Sequence, residues 1–165
     1  MKRLAPIAAA LALPLCACNQ NTALGNDREA QIDSAPTPAP VINAAAALQN
    51  VSTAILKPET MSDADIAALG GLTGRCVVRF TEVSHPAFLF EPDGSGAIKM
   101  NGKLIVLSQA GSNRFESGEL SMTLQPNEDE GDAGLQGMNM IVLPPGAQDE
   151  IGYSGFVQCF DGGSA

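Results

Sequence analysis

Ala97-Ile98-Lys99-Met100-Asn101-Gly102-Lys103-Leu104-Ile105-Val106-Leu107-Ser108 decides how the rest of the chain is read. Asn and Gly tolerate the left-handed backbone of a two-residue hairpin turn, and apolar residues flank them on both sides. The stretch is therefore a hairpin with arms at 97–100 and 103–108. Downstream, Glu119-Leu120-Ser121-Met122-Thr123-Leu124-Gln125 alternates, with Leu120, Met122 and Leu124 on one face. Upstream, Cys76, Val78 and Phe80 alternate with Val77, Arg79 and Thr81, while Phe88 and Phe90 share a face around Leu89. Residues 114–116, 138–143 and 153–160 bring the total to seven or eight short strands. Turns at 91–96, 110–113 and 117–118, a polar loop at 126–134 and Pro144-Pro145-Gly146 separate them. No helical stretch lies between strands, and parallel strands need crossovers of a dozen or more residues. The fold class is mainly β: a small antiparallel barrel or sandwich over 71–165, preceded by one or two short helices.

Those helices are read within 41–70. Val41, Ala45, Leu48, Val51 and Ile55 recur at three- and four-residue spacing, which predicts a helix over 41–56 that Pro58 terminates. A second helix is expected at 63–69. Ser62 caps it, Asp65 stands three residues on as in a capping box, and Gly70-Gly71 ends it. Whether this segment packs on the sheet is left open by the sequence.

Met1-Lys2-Arg3 and the apolar run 4–15 have the charge and length of a secretory leader, too short for a stable membrane span. Leu15-Cys16-Ala17-Cys18 resembles the lipobox of bacterial lipoproteins. The resemblance implies that residues 1–17 are removed as a signal peptide and that Cys18 becomes the acylated first residue. Asn19, rather than Asp, resembles the pattern that sends such proteins to the outer membrane, with the domain in the periplasm. Residues 18–40, ending Pro36-Thr37-Pro38-Ala39-Pro40, are expected to form a disordered tether between lipid and domain.

The formal charge is −9, and loss of Lys2 and Arg3 with the leader takes it to −11. Nucleic acid is excluded as a partner because phosphate binding requires clustered Lys and Arg. A basic protein is the partner that the field would attract. In an oxidising compartment, the pair Cys76 and Cys159 reads as a disulfide between early and late strands.

Catalytic signals are weak. His85, in Ser84-His85-Pro86, is the single histidine, so a triad base or a three-ligand zinc site has no supply of imidazoles. Gly152-Tyr153-Ser154-Gly155 lacks the spacing of a nucleophile elbow, and no glycine-rich phosphate motif occurs. The expectation is a non-enzyme without metal or cofactor. The one polar cluster that stands out is Asn127, Glu128, Asp129, Glu130 and Asp132 around Gly131, a candidate binding loop for a basic partner. Asn127, Asp129 and Asp132 also have the hard oxygens that calcium takes, without the spacing of an EF-hand.

The overall plan is similar to that of the membrane-bound lysozyme inhibitors: a lipoprotein, a small antiparallel barrel, and a bridge from early to late strand. That similarity implies a periplasmic protein-binding or inhibitor module. The lysine-bearing inhibitory segment has no counterpart here, since Arg114-Phe115-Glu116-Ser117-Gly118 is followed by 119–125 without a lysine. The other expectation is a structural or assembly-associated envelope lipoprotein without catalytic activity.

Overall fold

In the computed structural model, which describes residues 36–161, eight antiparallel strands close into a barrel. They are β2 Arg75–Arg79, β3 Phe88–Phe90, β4 Gly96–Met100, β5 Lys103–Gly111, β6 Arg114–Ser117, β7 Leu120–Glu130, β8 Gln136–Leu143 and β9 Ile151–Phe160. Each strand pairs with the next in sequence, and β9 returns to pair with β2. A two-residue strand, β1 Pro58–Glu59, lies outside the ring against Lys99 and Met100 of β4. Of the barrel and sandwich readings, the closed barrel is the one formed.

The alternation read from the sequence matches the wall. Cys76, Val78, Phe88, Ile98, Met100, Ile105, Leu107, Phe115, Leu120, Met122, Met140 and Val142 point inward and form one buried cluster. An eight-stranded barrel is just wide enough for its side chains to fill. Phe88, Phe90 and Phe115 fill part of this one, with ring centroids 5.1–5.8 Å apart. The Asn101-Gly102 turn has the left-handed backbone that its residues favour, with φ of 51° and 64°.

Several outward-facing residues of β2–β5 are also buried, although Val106 is 44% exposed. Val77, Leu89, Ala97 and Leu104 form a second cluster with Met61 and Ile66. Helix α2, Asp63–Ala68, contributes Ile66 to this layer, so the wall is apolar on both sides here. The capping box is formed: Ser62 Oγ accepts from the Asp65 N–H and Asp65 Oδ2 from the Ser62 N–H.

The expected helix over 41–56 is corrected to helix α1, Ala44–Ala47, and a 3-10 turn, Thr53–Ile55. The apolar residues of this stretch do not form one stripe. Val41 bridges Leu104 of β5, the Leu104 N–H donates to Pro40 O, and its carbonyl accepts from the Ile42 N–H. Ala44, Ala47, Leu48 and Leu56 join the inner cluster, and Asn50 breaks the helix at φ 60°. A four-residue helix owes its stability to such packing rather than to propensity. The 41–70 segment therefore packs on the barrel both inside and outside. Contact begins before it, because the Ala39 N–H donates to Asp65 Oδ1 at 2.6 Å. The expected signal peptide 1–17, the expected acylation site Cys18 and the expected tether up to residue 35 lie outside the described residues.

Residues 126–134, expected as a polar loop, are strand as far as Glu130. β7 continues through Glu130, past a bulge between Pro126 and Glu130, and the turn to β8 is shorter than the loop expected. The acidic side chains alternate at the end of a strand that is exposed on both faces, which conceals the β pattern in the sequence.

Backbone crowding fixes one glycine in the β2–β9 seam. A Cβ on Gly155 would overlap the Arg79 carbonyl oxygen and stand 3.3 Å from Phe80 Cα, whereas one on Gly152 meets nothing within 4 Å. Gly155→Ala is expected to destabilise by about 1–3 kcal/mol, as overpacking does. Gly152→Ala should change stability by less than about 0.5 kcal/mol. Urea titration of the two variants checks the difference; equal stabilities would show that the strands separate freely at this point.

Candidate functional site

The acidic cluster sits on a two-stranded extension of β7 and β8. The β6 ladder on β7 ends at Thr123, so residues 125–130 continue with a ladder partner on the β8 side alone. Glu128, Asp129, Glu130 and Asp132 are exposed and Asn127 is half-buried. Among the described residues none of these carboxylates has an ion pair. Exposed like charges keep such a strand edge from pairing with another chain indiscriminately.

Local hydrogen bonds hold the extension. Asn127 Oδ1 accepts from the Asp129 N–H at 2.9 Å, while Asn127 Nδ2 donates to Asn139 Oδ1 at 2.9 Å. Ser154 Oγ donates to the same Asn139 oxygen at 3.0 Å, which joins β7, β8 and β9 by side chains. From the loop between β2 and β3, Glu82 Oε1 accepts from the Asp132 N–H at 2.9 Å. Gly131 is buried beneath that carboxylate. Glu82 thus adds a fifth carboxylate at Asp132, while Glu128, Asp129 and Glu130 stand exposed on the two faces of the preceding strand end.

Glu82 and Asn139 are the members that sequence reading missed. Asn139 carried a signal, as the single polar residue in the run 138–143, whereas Glu82 stands 50 residues from its partner.

The other polar residues do not converge. The His85 side chain is 60% exposed, with Nδ1 3.8 Å from Asp63 Oδ1. The hydroxyls of Ser84 and Ser154 donate to the Thr81 carbonyl and to Asn139 rather than to an imidazole. Among the described residues no three His, Cys, Asp or Glu side chains gather as metal ligands. Cys76 and Cys159 form a disulfide, directly opposed across β2 and β9. Burial raises the pKa of Tyr153, whose ring packs against Phe80 at 5.7 Å. A hollow of about 80 Å³ on the outer wall is lined by Leu69, Leu89, Ala97, Val106 and Arg75. The Arg75 guanidinium is engaged by Glu91 and by the Leu69 carbonyl.

No described helix is long and apolar enough to cross a membrane. A family model described as "Domain of unknown function (DUF6692)" matches residues 14–162. No curated protein matches, and no solved structure does.

Proposed function

The chain belongs to the DUF6692 family, and from that premise we propose that it is a lipid-anchored envelope protein whose barrel acts as a protein-binding module. The observation that carries this reading is the filled barrel interior, where nine large side chains of the inner cluster are less than 2% exposed. A barrel packed in this way offers partners its surface rather than a chamber. The surface suited to contact is the acidic β7–β8 extension with Glu82, and its charge selects a basic protein. Cys18 holds the module to the outer membrane, with the domain in the periplasm. The family match begins at Pro14 and so covers Leu15-Cys16-Ala17-Cys18 together with the barrel.

The anchor is tested in the native host. Intact mass of the purified protein should correspond to a chain starting at Cys18 with acyl chains attached. Cys18→Ser should move the protein from the detergent phase to the soluble fraction. A retained leader, or a soluble wild type, overturns the anchor. Binding is tested by capture from envelope extract at low and high salt. Capture of one basic protein that salt weakens supports the module. Neutralising Glu128, Asp129 and Glu130 to their amides should then slow association by about tenfold or more. Capture unaffected by both favours the second reading, a structural or assembly-associated lipoprotein.

A further inference from the structure

The disulfide is asymmetric. Cys76 is 4% exposed and belongs to the inner cluster with Val78 and Phe90, whereas Cys159 is exposed. The cause is the register of β9. β8 begins at Gln136, opposite Val157, so Cys159 extends beyond β8 and has a strand neighbour only on the β2 side. An open hollow of about 330 Å³ flanks the bridge, lined by Gly74, Pro92, Phe160 and Asp161 along with the two cysteines.

Thiol–disulfide exchange requires a thiolate to approach one sulfur along the S–S axis, from the side opposite the other sulfur. Burial of Cys76 in the inner cluster with Val78 and Phe90 restricts that approach to its sulfur. Cys159, exposed near the end of β9 and beside the hollow, is the more accessible of the two. We infer that Cys159 is a mixed-disulfide modification site for small or protein-borne thiols, attacked in the folded state while Cys76 acts as the leaving group.

The step balances without an external oxidant. The thiolate RS⁻ forms a bond to Cys159 Sγ, the Cys76–Cys159 bond breaks, and its electron pair leaves on Cys76 Sγ, which takes a proton from water. A second thiol, from a dithiol reductant, then displaces the first at its own sulfur. Cys159 leaves as a thiol and the reductant becomes a disulfide. The bridge therefore opens from one side only, and with it the sole covalent closure of the β2–β9 seam.

The full-length native protein is incubated with reduced glutathione, excess iodoacetamide is added at timed intervals to quench the exchange and cap the released thiols, and the adducts are located by peptide mass. The expected product carries glutathione on Cys159 and the alkyl cap on Cys76, in at least about tenfold excess over the reverse, because access decides which sulfur is attacked. The rate should be first order in thiolate and unchanged by urea below the unfolding transition. Glutathione on Cys76, equal amounts on both, or a rate that rises steeply with sub-denaturing urea overturns the inference. So does the absence of any adduct before unfolding.

Discussion

Cys76→Ala combined with Cys159→Ala is expected to lower the stability of the domain by about 4 kcal/mol. The bridge closes a loop over 83 residues of sequence separation, and loop entropy at that length amounts to somewhat over 4 kcal/mol. Domains of this size are stable by only about 5–15 kcal/mol in total, so the loss is a large fraction. It acts mainly on the unfolded chain, which gains the freedom to separate its first and last strands. Two readings of one urea titration check the account. The midpoint should fall, and the slope against urea should rise, because an unlinked chain exposes more surface on unfolding. In a thermal melt the shift should be roughly 10–20 °C. A loss below about 1 kcal/mol would mean that strain in the folded bridge cancels its entropic benefit.

Asp65→Ala is expected to cost about 3–5 kcal/mol, as removal of one partner from a buried ion pair does. Among the described residues Asp65 is the one charged residue of the buried set, 1% exposed, and Lys99 Nζ lies 2.8 Å from its Oδ2. Alanine would strand the Lys99 ammonium and leave the N–H groups of Ala39 and Ser62 without acceptors. Three elements meet at this carboxylate: the entering chain at Ala39, the first turn of α2, and β4. Asp65→Asn should cost less, since its amide oxygen still accepts one of those N–H bonds.

The same carboxylate gives the domain a pH dependence. Burial pushes its pKa up, but the Lys99 ammonium, the N–H groups of Ala39 and Ser62 and the Ser62 hydroxyl together outweigh that and hold it at about 2, below the usual 3.8. A folded-state value below the unfolded one means that the stabilisation is complete above about pH 5 and is lost as pH falls through 4 toward 2. The difference corresponds to roughly 2 kcal/mol. The stability gap between wild type and Asp65→Asn should therefore narrow between pH 5 and pH 2. A gap constant with pH would show that the Lys99 contact contributes no net charge stabilisation.

Much of the wall was legible because its rules are local. Asn101-Gly102 announces its turn by backbone preference, Leu120, Met122 and Leu124 by spacing, and Ser62 with Asp65 by capping chemistry. Closure was not legible in the same way. Barrel and sandwich share that alternation, and only the cysteine pair pointed to contact between β2 and β9. The second duty of Asp65 was invisible because Lys99 lies 34 residues away. Residues 41–56 misled because Ala44, Ala47, Leu48 and Leu56 enter the inner cluster from an irregular segment while Val41 makes an edge bridge and Ile55 is exposed, yet these residues fall near helical spacing. Of the candidate site, the acidic residues were visible by composition. The Glu82 link and the Asn127–Asn139–Ser154 ladder depend on pairings that no short window contains.

The strand order has a consequence for how the chain reaches its native form. Seven of the eight ladders in the ring join neighbours along the sequence, and one joins the ends. Hairpins can therefore accumulate cheaply, one zipping onto the next, while nearly all of the topological penalty is concentrated in the final encounter of β9 with β2. Refolding of the oxidised chain starts with that encounter already tethered; refolding of the reduced chain must find it by diffusion. The barrel is a ribbon whose two end strands must meet to make it a ring.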